Sequence, residues 1–185
     1  LGWPLWLSLL AILVIGGVFG LFNGILIAKF GLPPFIATLG TMMISRGLSS
    51  IVSNVQSVTF PLRGTGEGWY KDLFRTKDNF QTGLIVLIII AIIDAIVLNK
   101  TKIGRYIFAI GSNKEATRLS GVNVIKWEAM AYVISGLFAG LAGIAYAATY
   151  STILPCTGNG MELDAIAGVV VGGTSLSGGV GSVLG

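Results

Sequence analysis

Residues 84–93 read LIVLIIIAII, a run with no polar side chain at all. It sits inside an apolar stretch over residues 80–98 that is long enough, at about 1.5 Å per residue, to cross most of a bilayer as a helix. Four further apolar segments accompany it, at residues 5–28, 35–52, 129–153 and from 163 to the end. The first, 24 residues long, spans roughly 36 Å as a helix and so crosses with some tilt. A water-soluble domain carries about a quarter charged residues. This chain of 185 residues has 11% charged against 54% hydrophobic, with a mean hydropathy of +0.85. There are too few charges to cover a surface facing water. The fold class predicted is all-α: a polytopic transmembrane helical bundle in one domain over residues 1–185, with about five membrane segments, the last broken or re-entrant.

The segments are separated by polar connections with their own stop signals. Lys29 and Pro33-Pro34 end the first, because proline cannot continue a helix. Pro61, Gly64, Gly66 and Gly68 mark the connection over residues 54–79 as a loop. Basic residues set the orientation of such a bundle. Residues 99–128 hold Lys100, Lys102, Arg105, Lys114, Arg118 and Lys126 against Glu115 and Glu128 only. Residues 54–79 balance Arg63, Lys71, Arg75 and Lys77 with Glu67, Asp72 and Asp78. The first connection is therefore expected on the cytoplasmic side, together with Lys29. The net charge of +4 is too small and scattered for nucleic acid. A chain that opens on Leu1 and stops at Gly185 in a Gly-rich apolar stretch is expected to be a fragment.

Absent residue types narrow the chemistry. The chain has no His, which removes His-based metal sites and the usual Ser/His/Asp or Cys/His arrangements. No catalytic residue, metal site or cofactor is assigned. Cys156 is the one cysteine, flanked by Pro155 and Thr157, and reads as an inert turn residue.

Inside the segments the informative residues are small or costly. Gly16, Gly20 and Gly24 recur every fourth position, as do Gly136 and Gly140, with Ala139 and Gly143 beside them. Such stripes let helix backbones approach closely in lipid. They read as static packing first and as a moving seam second. Arg46 falls inside a span, where a charge costs about 2.5–3.5 kcal/mol. It is expected to face protein, water or the interface, bonded to neighbouring carbonyls or lining a pathway. Asp94 is expected to pair with Lys100 or Arg105. Asn23 is read equally as lining a pore or bonding across helices. The last segment carries Gly172, Gly173, Thr174 and Ser175, then Gly178, Gly179 and Gly181, a poor continuous helix. Non-helical backbone at membrane depth needs protein or a water-filled cavity beside it, so this segment is placed beside a conduit. It is no nucleotide loop: Gly179 to Gly185 misses G-x-G-x-x-G by one position, and no Gly-Lys-Ser/Thr occurs.

Within the basic connection, Ser112-Asn113-Lys114-Glu115 has S-x-x-E capping spacing. It predicts a short helix over Glu115, Ala116, Thr117, Arg118, Leu119 and Ser120, closed by Gly121 in the left-handed conformation.

Three runs then become specific: NGILIAKFGLPPFIATLGTMMISRGL (Asn23 to Leu48), KTKIGRYIFAIGSNKEATRLSGVNV (Lys100 to Val124) and GNGMELDAIAGVVVGGTSLSGGVGSVLG (Gly158 to Gly185). Together they resemble the permease subunits of bacterial ATP-binding-cassette importers for ribose, galactose, xylose and related sugars, over essentially the whole chain. The resemblance implies a multi-pass protein of the cytoplasmic membrane with about ten spans in full. It implies a second permease copy as partner, an ATPase subunit beneath that holds ATP and Mg, and an extracytoplasmic sugar-binding protein. It makes Ser112 to Gly121 the helix that couples to the ATPase, so that Glu115→Pro is expected to leave the protein inserted while reducing transport and ATPase association; the residues themselves give Asn23, Arg46, Gly136, Gly140 and Gly172 to Ser175 as pathway or seam candidates. Trp69 and Tyr70, in the outer connection, are candidates for stacking on sugar or for touching the binding protein or lipid. A secondary transporter driven by an ion gradient needs titratable groups at mid-membrane, and only Arg46 and Asp94 qualify. A membrane enzyme would rest on Glu162 and Asp164, which are more simply read as flanking an interface.

Overall fold

The computed structural model describes residues 4–60, 70–71, 82–150, 152–155 and 157–183. The breakers Pro61, Gly64, Gly66 and Gly68, together with Trp69, Cys156 and Gly185, lie outside the described residues. Helix α1 (Leu5–Ala28) is followed by α2 (Pro34–Val52), strand β1 (Val58–Thr59), α3 (Thr82–Lys100), α4 (Lys102–Ser112), α5 (Lys114–Leu119), α6 (Val124–Thr149), β2 (Thr152–Ile153) and α7 (Met161–Val171). Among the described residues four helices are long and apolar enough to cross a membrane: α1, α2, α3 and α6. The chain is thus a helical polytopic membrane protein.

The centre of the bundle is the antiparallel pair α1 and α6. Their glycine stripes face each other. A Cβ added at Gly16 would strike the Gly136 carbonyl, and one at Gly136 would strike the Gly16 carbonyl. One at Gly20 would strike the Tyr132 carbonyl, and one at Gly24 would lie 2.8 Å from the Ala129 Cα. The two backbones are in direct contact along about three turns. In lipid this approach substitutes for hydrophobic burial, since lipid tails cover apolar side chains as well as protein does. The few fully buried apolar residues fit that regime: Ile27, Ala37, Val124, Ile144, Ala147 and Ala148, beside long rows of exposed Leu, Ile and Val on α1 and α3.

Helix α2 starts with Pro34 at its first position after a turn through Gly31, whose φ is +69°. Proline is suited to that position because its missing N–H has no helical partner there. One side-chain bond ties α2 to α1: the buried Thr41 hydroxyl donates to Asn23 Oδ1 at 2.8 Å.

Two features fix which connections share an end. Strands β1 and β2 pair antiparallel, Val58 with Ile153 and Thr59 with Thr152, so the connections following α2 and α6 meet at one end. Helices α4 and α5 lie at the other, the basic end, where Gly24 beside Ala129 also brings the α1 terminus and Lys29. Tyr70, expected to offer its ring from the outer connection, is instead buried, with 2% exposure.

Two boundaries and one ion pair differ from the sequence expectation. The stretch over residues 99–128 is mostly helical: α4 occupies its first half, and α6 begins at Val124 rather than at 129 because Asn123 caps it, its side chain accepting from Lys126 N–H at 3.1 Å. Asp94 makes no ion pair with Lys100 or Arg105 among the described residues. The last segment is broken, as expected: it is helical only over the 11 residues of α7, roughly 16 Å and about half the hydrocarbon thickness. Its remainder turns through Gly173, Gly178 and Gly179, with φ of +88°, +87° and +75°.

The seam yields a paired test. Gly136→Ala is expected to destabilise the protein in detergent by about 1–3 kcal/mol, because overpacking drives two backbones apart. Gly143→Ala, which meets nothing within 4 Å, should be neutral or slightly stabilising through its better helix propensity. Thermal melting of the two variants against wild type measures the difference.

Candidate functional site: the basic end and the groove above it

Helix α4 begins directly under the end of α3. A Cβ on Gly104 would overlap the Leu98 carbonyl, so the chain folds back sharply at Thr101, whose hydroxyl donates to the Val97 carbonyl at 2.6 Å. Lys102, Arg105, Ala109 and Ser112 recur at helical spacing and form the exposed face of α4. Ile103, Ile107 and Ile110 lie on the more covered side. Tyr106 reaches Trp127 on α6, with ring centroids 5.0 Å apart.

The six residues of α5 follow with a one-residue joint. Ser112 is the last residue of α4, so its backbone is already helical and it does not cap α5. Asn113 does: its φ of −155° and ψ of 101° are extended, and its Oδ1 accepts from Ala116 N–H at 2.9 Å. The Thr117 hydroxyl, largely buried, donates to the Asn113 carbonyl at 2.8 Å. Ser120 follows the helix and Gly121, at φ +82°, closes it as expected. Glu115 sits in the first turn, where a proline is tolerated. Thr117, whose N–H donates to the Asn113 carbonyl at 3.1 Å, is the position at which proline breaks this helix. Lys114 forms an ion pair with Glu128 on α6 at 2.6 Å, and Arg118 pairs with Glu115 at 3.2 Å on the exposed side. Leu119 is left 83% exposed.

Above the basic end a groove of about 400 Å³ runs between α1, α2 and α6. Asn23, Thr38, Thr41 and Ser45 give it a polar wall, and Gly16 and Gly140 its floor. Asn23 thus bonds across helices and lines this groove as well. Thr38, Thr41 and Ser45 were not singled out in the sequence, although their i, i+3, i+7 spacing on an apolar helix was legible.

Near the opposite end, Arg46 on α2 is paired. Its Nη2 lies 3.3 Å from Glu162 Oε1 at the start of α7, so among the described residues its partner is a side chain and not a carbonyl. Glu162 also accepts from Gly160 N–H at 3.0 Å. Its own backbone N–H first, then the Arg46 charge and the Gly160 N–H, hold this half-exposed carboxyl below the usual carboxylate range despite some desolvation.

The pathway candidates do not converge on one place. Gly136 and Gly140 belong to the α1–α6 seam, and Asn23 and Gly140 to the groove. Gly172 ends α7, and Thr174 and Ser175 line a separate cavity of about 310 Å³ with Leu98, Ile107 and Phe108.

Comparison with known proteins decides the family. Residues 1–185 match the family described as branched-chain amino acid transport system / permease component. The chain belongs to this permease family. Among its relatives, the fructose import permease protein FruG of Bifidobacterium longum is 39% identical over 192 residues, covering 100% of this chain and 56% of that protein. The ribose import permease protein RbsC of Haemophilus influenzae is 40% identical over 187 residues, with 98% and 56% covered. The galactose/methyl galactoside import permease protein MglC of Salmonella typhimurium is 41% identical over 187 residues, with 98% and 55% covered. The chain therefore spans a little over half the length of these relatives. No solved structure matches it.

The Arg46–Glu162 pair has a pH signature. A carboxyl whose pKa is depressed on folding contributes stability above its unfolded pKa, and loses it as pH falls through the folded value. Wild type is thus expected to melt above Glu162→Gln at neutral pH. The gap should close as the pH is lowered through and below the ordinary carboxylate range. Melting temperatures of both proteins across that range check the sign.

Proposed function

We propose that this chain is the membrane-embedded portion of an ATP-binding-cassette importer permease that carries a monosaccharide across the bacterial cytoplasmic membrane. The observation that carries this reading is the near-40% identity, along the whole chain, to permeases named for fructose, ribose and galactose import. Two permease copies form the pathway, and an extracytoplasmic binding protein delivers the sugar. ATP and Mg are held by a separate ATPase chain, and this chain binds no cofactor of its own.

The geometry at the basic end supports the partner side of the reading. A six-residue helix held by Asn113 and closed by Gly121 presents Leu119 to its surroundings. In the proposed complex Leu119 enters a groove on the ATPase. Closure of the ATPase on ATP displaces α5, and the bundle answers by switching access to the polar groove between the two sides. ATP binding shifts that equilibrium only by the difference in contacts the two states make.

The test uses the full-length permease with its ATPase and binding protein in liposomes. Sugar-stimulated ATP hydrolysis that requires the permease is expected. Leu119→Asp should leave the permease inserted while lowering ATPase association by about tenfold or more, the loss of a buried apolar anchor at an interface. Uptake abolished by an uncoupler while ATP is maintained would sink the importer reading in favour of an ion-driven carrier.

A further inference from the structure

The Gly-rich loop that follows α7 touches the bundle at a place that neither the groove nor the coupling helix explains. A Cβ on Gly111, near the end of α4, would lie 2.5 Å from Gly179 N and 3.2 Å from Gly179 Cα. One on Gly178 would lie 3.0 Å from the Gly111 carbonyl oxygen, and one on Gly179 would lie 2.8 Å from Ser112 N and Cα. Backbone therefore rests on backbone from both sides. Gly178 and Gly179 also have positive φ, of +87° and +75°, which side-chain-bearing residues adopt only at a cost.

The position of this contact matters. Ser112 directly precedes Asn113, the cap of α5. The loop itself is closed: Ser175 N–H donates to the Val180 carbonyl at 3.0 Å, Gly178 N–H donates to the Ser175 carbonyl at 3.1 Å, and Gly181 sits against Thr174. It continues into α7, which Glu162 ties to Arg46 on α2, and α2 carries the polar wall of the groove. A contact made of main chain alone has no rotamers with which to absorb a displacement.

We infer that Gly111, Gly178 and Gly179 form a rigid joint that positions the broken segment by the coupling helix, so that α5 drives α7 and α2 through it. This rests on the importer reading above and names the residues through which its coupling runs. These are positioning residues: they touch neither sugar nor ATP.

The experiment is sugar moved per ATP hydrolysed, in liposomes holding the full-length permease, its ATPase and its binding protein. Gly111→Ala improves helix propensity, so harm to transport comes from the contact and not from the helix. ATP hydrolysis is expected to stay near the wild-type rate while sugar per ATP falls about tenfold, the size of a typical coupling between sites. An equal fall in both, or a change in neither, overturns the joint. A second variant, Gly168→Ala on α7, likewise improves helix propensity but meets nothing within 4 Å, and should keep the wild-type sugar-to-ATP ratio. A comparable fall in that variant also overturns it. Absence of sugar-stimulated hydrolysis in the wild type would remove the importer reading and the joint with it, whereas loss of the joint alone leaves wild-type coupling intact.

Discussion

Everything in this bundle is referred to the contact between the main chains of α1 and α6. In a bilayer there is little to gain from hiding apolar side chains, so two helices are held by how closely their backbones approach. Gly16, Gly20 and Gly136 allow an approach that a single methyl group would prevent. Once these two helices are fixed, α2 is placed by the Thr41–Asn23 bond, and the basic end by the start of α6. Charge does comparatively little to assemble the spans. It is concentrated instead where the chain leaves them.

From α5 two routes lead into the spans. One is electrostatic and runs through Lys114 and Glu128 into the first turns of α6, and so into the glycine seam. The other is steric and runs through Ser112 and Gly179 into α7, then by Glu162 and Arg46 into α2. The two routes reach two of the three helices around one groove, since α6 and α2 both line it. A helix attached to only one wall would move the groove without opening it. Attachment to both lets a tilt of α5 change the distance between them.

What could be read from the sequence was what depends on local pattern. The glycine stripes, the proline stops, the left-handed Gly121 and the broken last segment all follow from spacing and backbone preference, and the structure has each of them. The cap of α5 was misplaced by one residue because Ser112 and Asn113 are both good capping residues. Only the continuation of α4 through Ser112, which leaves Asn113 extended, decides between them. Helix α4 is masked in the sequence by the charges of a polar connection, although its exposed residues keep a helical period. Long-range pairing was not legible. Glu162 lies 116 positions from Arg46, and no local rule joins an arginine in the second half of one helix to the first turn of a distant one. The convergence of Asn23, Thr38, Thr41 and Ser45 needed the packing of three helices to be known first.

The irregular half of the last segment can be tolerated for a reason that local accounting shows. Main chain that leaves a helix at membrane depth must find partners within the protein. Here Gly172 N–H donates to Gly168, Gly173 N–H to Val170 and Thr174 N–H to Val169, closing the helix end. Ser175 and Gly178 then bond within the loop. The glycines have two uses in this arrangement: positive φ lets the chain turn back on itself, and the missing side chains let it lie against Gly111. A continuous helix over the same residues would satisfy its own hydrogen bonds but would present side chains to α4 and hold it away. The break in the helix is therefore what brings the last segment into contact with the end of α4, next to the cap of α5.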